Sequence, residues 1–292
     1  MKKKAFIYVI IAGIFWGSSG IFVGFLAPYG FTSLQMTAVR GLVSFLCMAI
    51  YVLLRNRGLW RVKLPDLLLF LGAGVTLFGT ASGYYSSMQM TSVSTAVTLM
   101  YTAPVYVTVV SVLFFGERLS KLKVVAIACM LVGCCFVSGV IGGLKFDLLG
   151  ILLGVFSGIS YAGYNIFTKI SMRRGNSPVT ATMYSFLFMT LVALLVCNPK
   201  EIVTYTVKDP NLLLPMLIGL GIVTEVVPYL LYTLSLRELP AGTASALAIV
   251  EPLAAMVFGV LIFHEVPDVP SFVGIVLILL AVILLGRAEG KE

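Results

Sequence analysis

Apolar runs of about 20 residues follow one another from end to end of this chain, and very few architectures can accommodate that. At ~1.5 Å per residue, a helix of such length crosses ~30 Å of hydrocarbon. The runs fall roughly at 5–26, 34–54, 66–88, 92–115, 122–141, 148–170, 178–197, 212–236, 241–263 and 270–287. The shortest connections, near 89–91 and 237–240, leave no room for a soluble domain. Hydrophobic residues make up 60% of the chain and charged residues 11%. A water-soluble core of this size needs far more polar surface to cover it. The first run is too long for a cleaved signal peptide, and 25–29 lacks a small-x-small site. The expected fold class is all-α integral membrane, with ten transmembrane helices.

The segment from Ser92 to Gly139 is echoed in the second half. Pro104 precedes Glu117 in PVYVTVVSVLFFGE, and Pro252 precedes Glu265, at the same spacing, in PLAAMVFGVLIFHE. The copies open on Thr95-Ala96 and Thr243-Ala244. Doubled bundles of membrane helices are a mark of secondary transporters. The repeat unit is five helices, expected at 1–141 and 147–288 within one structural unit, with a short linker at 142–146. Five is odd, so the second copy enters the membrane from the opposite side. The expectation is an inverted repeat with a site between its halves.

The net charge is +8, but its distribution matters more than its sign. With the amino terminus inside, only Lys145, Lys200 and Lys208 fall outside, and Arg40 lies within a helix. Every other Lys and Arg of the 20 falls inside. This bias puts both termini in the cytoplasm and the chain in the cell (inner) membrane. No basic cluster lies on a soluble face, which argues against a nucleic-acid partner. The five cysteines lie inside expected helices without Cys-x-x-Cys or Cys/His spacing, so reduced thiols and no metal or cofactor are expected. His264 is the only histidine, which leaves little from which to build an enzyme.

Small residues at four-residue spacing let helix backbones approach in lipid. Gly13/Gly17, Gly20/Gly24, Gly79/Gly83 and Gly150/Gly154/Gly158 follow that spacing. They read either as static packing or as faces where the halves slide. Pro104, Pro228 and Pro252 each remove a backbone donor and free a carbonyl one turn earlier. A paired kink at the repeat mates Pro104 and Pro252 is expected, either structural or opening a central cavity.

Ionisable residues inside a membrane are costly and mark functional candidates. Glu251 is near the middle of its run and directly precedes Pro252. Glu225 is similarly central, and Arg40 lies ~9 Å inside the second run at ~1.5 Å per residue. Glu251, with Glu225 second, is expected to carry a proton, to pair with a cationic substrate group, or to be a neutral acid bonded to a neighbouring helix. Arg40 reads as a structural partner for one of them. Polar and aromatic residues recur at helical spacing. One stripe holds Ser94, Thr98, Tyr101 and Thr108. Others hold Tyr161, Tyr164, Asn165 and Thr168, or Glu225, Tyr229 and Tyr232, while Trp16 and Ser19 share a face. Several of these rings are too deep for an interfacial belt, and a hydrated pocket supplies partners to deep hydroxyls. Trp16, Ser19, Tyr101, Tyr161, Tyr164, Asn165, Tyr229 and Tyr232 are therefore the expected substrate-binding set. Glu117 and Glu265, at run ends, are expected to act as conformational latches.

The FWGSS stretch at Phe15 to Ser19, the arginine in TAVRG at Arg40, the two Pro…Glu segments and YLLYTLSLRELPAGTASAL from Tyr229 occur together and in order. On these the chain resembles the drug/metabolite transporter superfamily, and within it the ten-helix EamA-type family. The resemblance spans nearly the whole chain. It implies a basket of ten helices with both termini inside. Its central cavity is lined mainly by helices 1, 3, 4, 6, 8 and 9. Relatives export amino acids and other small metabolites, or move sugar-linked and phosphorylated compounds, with proton coupling or exchange. Glu225 and Glu251 lie outside the shared skeleton and mark a subgroup. The expected function is secondary active export of a small polar metabolite, an amino acid or amine, by alternating access. Its partners are that substrate, the bilayer and, where transport is coupled, protons. A flippase for lipid-linked carriers, or an exchanger of phosphorylated metabolites, is the alternative on the same scaffold.

Overall fold

The structure is a computed structural model that describes residues 2–91, 96, 99–116, 119–137, 147–263 and 269–289. Glu117, Glu265, Ser94, Thr98 and the expected linker lie outside the described residues. The described residues are mostly helical and contain no strand. In chain order the helices are α1 (Lys2–Gly17), α2 (Ser19–Leu26), α3 (Ser33–Arg55), α4 (Leu64–Met90) and α5 (Ala103–Phe115). These are followed by α6 (Lys121–Val137), α7 (Leu148–Arg173), α8 (Pro178–Val196), α9 (Pro199–Thr206) and α10 (Pro210–Gly221). A π-helical turn, Ile222–Val226, leads into α11 (Val227–Ser235), followed by α12 (Ala241–Leu247), α13 (Val250–Phe263) and α14 (Val269–Glu289).

Seven spans are long and apolar enough to cross a membrane: Lys3–Tyr29, Ser33–Arg55, Leu64–Met90, Leu148–Arg173, Pro178–Val196, Pro210–Ser235 and Ala241–Ile262. Shorter apolar helices occupy Ala103–Phe115 and Phe272–Leu284. The outer faces carry Leu54, Leu113, Phe114 and Leu195 in exposed positions. In water such a surface aggregates, whereas against lipid tails it is the solvated side. Polar ends are capped in sequence-specific ways. Thr32 and Gln35 form a reciprocal capping box at the start of α3, and Asp147 accepts from the Gly150 amide at 2.7 Å at the start of α7.

Elements before residue 138 pair chiefly with elements after residue 146. Helix α1 packs on α11 and α13, α3 on α8, α4 on α7 and α8, α5 on α7 and α12, and α6 on α14. Glycines set several of these approaches. A Cβ on Gly17 would lie 2.7 Å from the Ala254 Cβ and 2.8 Å from the Glu251 carbonyl oxygen, so α1 rests directly on the backbone of α13. Gly79 and Gly83 of α4 meet Ser160, Phe156 and Ser157 of α7 equally closely. Gly20, by contrast, has nothing within 4 Å of a Cβ. None of the five cysteines forms a disulfide among the described residues, and only Cys134 is buried.

The repeat-mate prolines coincide with interruptions, because turns precede them at Tyr101–Thr102 and at Ala248–Ile249. Pro104 lies at the beginning of α5, Pro228 at the beginning of α11, and Pro252 in the first turn of α13. After such an interruption the first-turn amides are orphans in any case, so the missing donor of Pro104 and Pro252 costs little. Pro228 instead follows the π turn within one uninterrupted helical segment.

Candidate transport site

Breaks in four helical segments surround one cavity. Ser18 separates α1 from α2, and its hydroxyl turns back to donate to the Phe15 carbonyl at 2.7 Å. Tyr101 and Thr102 form a turn ahead of α5. The π turn at Ile222–Val226 is closed by the Val227 amide donating to the Ile222 carbonyl, one residue wider than an α-helical turn. Ala248 and Ile249 separate α12 from α13, with the Glu251 amide donating to the Ala248 carbonyl at 2.9 Å. Irregular backbone at membrane depth is tolerated where it is buried in protein or faces a wet cavity. Trp16, Tyr101, Glu225 and Glu251 flank these breaks and all line the cavity, whose volume is about 500 Å³. A space of ~300–1,000 Å³ suits a small-molecule ligand.

The charged residues in the lining are Arg40, Glu225 and Glu251. Arg40 of α3 reaches the π turn, where its Nε lies 2.9 Å from Glu225 Oε1. The Glu225 side chain is 1% exposed and that of Arg40 17% exposed. Tyr85 and Tyr229 neighbour the guanidinium. Glu251 forms no ion pair among the described residues, and the Tyr101 hydroxyl stands next to it without completing a well-formed hydrogen bond. Four buried polar atoms of lining residues make no hydrogen bond: Trp16 Nε1, Arg40 Nε (although it is ion-paired), the Tyr101 hydroxyl and Glu225 Oε2. Such orphans are rare in protein interiors and call for water or a ligand.

An aromatic wall closes one side. The rings of Trp16 and Tyr229 meet edge to face at 5.0 Å, and Tyr229 touches Tyr164 at 5.4 Å and Phe186 at 5.5 Å. Trp16 also lies 5.4 Å from Tyr232. Behind that wall, the Asn165 amide donates to the Tyr161 carbonyl at 2.7 Å and its Oδ1 accepts from the Tyr232 hydroxyl.

The expected residues thus divide. Trp16, Ser19, Tyr101, Tyr161, Tyr229, Glu225, Glu251, Arg40 and Pro252 line the cavity. Tyr164, Asn165 and Tyr232 are buried behind it, where they brace α7 against α11. Pro104 lies outside the lining. Leu77, Thr80, Ala81, Tyr84 and Tyr85 of α4 also line the cavity and were not singled out from the residues themselves. Their spacing, with members three, four, seven and eight positions after Leu77, is that of one helical face, and that was the available signal. Among the described residues no group of three potential metal ligands occurs.

The sequence pattern of the EamA-like transporter family matches twice, over residues 3–139 and 148–287. A protein of Archaeoglobus fulgidus described as an uncharacterized transporter is 31% identical over 279 residues, covering 96% of this chain and 95% of its own. The Bacillus subtilis protein described as uncharacterized transporter YwfM is 26% identical and covers 98% of this chain and 95% of its own. One solved crystal structure superposes with a TM-score of 0.78 at 16% identity, covering 100% of this chain and 99% of that one, which shows a shared fold. The two family matches together span nearly the whole chain, which belongs to the EamA-like transporter family of membrane transporters.

Proposed function

We propose that this transporter is a secondary carrier of small polar amines or amino acids that works by alternating access between two inverted five-helix halves. The halves are 1–141 and 147–288, giving ten crossings with both termini in the cytoplasm of the cell membrane. The observation that carries the substrate class is the charge set of the cavity, two carboxyl groups against one guanidinium. Such a set attracts an ammonium group and disfavours a phosphate dianion. That argues against the alternative of a lipid-linked or phosphorylated substrate. Aromatic faces at Trp16 and Tyr229 add a surface suited to an ammonium or an apolar side chain.

The pairing of elements supports the inverted halves. Exchanging each helical segment for its counterpart in the other half turns the α1–α11 contact into α7–α4, and the α1–α13 contact into α7–α5. The α3–α8, α5–α12 and α6–α14 contacts map onto themselves. An arrangement unchanged by that exchange has the symmetry alternating access requires. The outward direction follows the resemblance to exporters. Glu251, with no ion-pair partner, is assigned to the substrate ammonium or to a coupling proton.

The test is transport of radiolabelled amino acids and amines by protein reconstituted into liposomes, with and without an imposed pH gradient. Glu251→Gln is expected to lose gradient-driven accumulation. Unchanged transport with an unchanged pH response would remove Glu251 from the coupling role.

A further inference from the structure

We propose that the free edge of the Arg40 guanidinium is the receptor for a substrate carboxylate, so that the cavity selects amino acids over simple amines. This rests on the amine or amino-acid reading above and narrows it.

A guanidinium presents five donors in a planar fork that matches a carboxylate two-to-two. Arg40 does not spend that fork on Glu225. Their contact is a single one, Nε to Oε1 at 2.9 Å. It is misaligned enough that neither Nε nor Glu225 Oε2 makes a hydrogen bond. Neither terminal nitrogen of Arg40 bonds any described residue, and Arg40 lines the cavity with part of its side chain exposed to it. A guanidinium whose best donors face an open space, among side chains that do not use them, is an incomplete site.

The π turn explains why the pair is one-sided. The extra residue in the turn holds Glu225 almost wholly buried beside Arg40, so that its carboxylate fixes the guanidinium from one edge. The opposite edge stays presented to the cavity. Glu225 is thus a positioning residue for Arg40. Glu251 completes the arrangement, because it is the lining carboxylate without an ion pair and the one left for an ammonium. A zwitterion can engage Arg40 with one end and Glu251 with the other, inside a space of about 500 Å³.

The experiment uses purified full-length protein and a matched panel. L-phenylalanine and L-alanine are each compared with the corresponding decarboxylated amine and methyl ester, and inorganic phosphate is added as a further competitor. Binding is read by thermal shift and by counterflow in proteoliposomes. Hydrogen bonds to charged groups imply that each amino acid binds the parent about ten- to a hundredfold tighter than its amine or ester. Arg40→Lys keeps the charge and the ion pair but not the fork. The double variant Arg40→Gln/Glu225→Gln removes both charges without stranding either. In both, the advantage of each amino acid over its own amine and ester is expected to collapse. Amines binding as well as amino acids in the parent would overturn this inference alone. So would an advantage that survives Arg40→Lys and the double variant. Phosphate binding with no amine or amino acid bound would overturn the amine reading and this inference together, as would no binding at all.

Discussion

Arg40 and Glu225 share a membrane interior with little else to compensate either charge. Removing one partner of a buried ion pair strands the other, which typically costs about 3–5 kcal/mol, whereas removing both is often nearly neutral. Arg40→Gln is therefore expected to lower the unfolding midpoint in detergent sharply, and adding Glu225→Gln to restore most of the loss. A double variant no more stable than Arg40→Gln alone would mean that the pair is not what holds Glu225. These residues were legible because any ionisable side chain in an apolar run stands out. Tyr84 and Tyr85 were not, since tyrosines near the end of a run look like ordinary interfacial anchors. Tyr161, Tyr164, Asn165 and Tyr232 illustrate a different limit. Helical spacing puts residues on one face, but only packing decides which part of that face meets the cavity. The structure gives Tyr161 to the lining and Tyr164, Asn165 and Tyr232 to the α7–α11 contact.

Elements are positioned by close backbone approach and by breaks, and the two are legible to different degrees. The glycine pairs could be read as packing faces from their spacing, but not their partners. Gly17 meets α13 at 2.7 to 2.8 Å, while Gly20, one turn on, faces the cavity with nothing within 4 Å. Gly17→Val is accordingly expected to push α1 off α13, at a cost of about 1–3 kcal/mol typical of overpacking. Gly20→Ala is expected to leave the unfolding midpoint near the parent's. Equal effects at the two positions would contradict the close contact. The π turn was not legible in the sequence beyond Pro228, which follows it and whose missing amide interrupts the regular α-helical hydrogen-bond pattern. Deleting Val223 takes the extra residue out of the turn and converts it toward regular α-helix, which removes the local widening that holds Glu225 beside Arg40. The expected outcome is a protein with parent-like far-UV circular dichroism that no longer transports. Retained transport after the deletion would show that the turn does not position the site.

At the scale of the whole molecule, a five-helix unit repeated once in a membrane must reverse its orientation, because an odd number of crossings returns the chain to the far side. The charge distribution favours that reading, since with both termini placed in the cytoplasm only Lys145, Lys200 and Lys208 would fall outside. The helix pairings are unchanged when the halves are exchanged, as a two-fold relation between them requires. Inversion is what would let one cavity open to either side with equivalent contacts, since each half then plays in one state the part its counterpart plays in the other. Glu117 and Glu265 occupy matching positions in the two copies, so inversion puts them on opposite faces of the bilayer. In a background with all five cysteines replaced by serine, Glu117→Cys is expected to react with a membrane-impermeant maleimide only once the cytoplasmic side is opened to it. Glu265→Cys is expected to react from the outside of intact cells. The charge bias and the odd helix count are the grounds for expecting that asymmetry. Labelling of both positions from one side would therefore undo the inversion, and with it the alternating-access reading of the cavity.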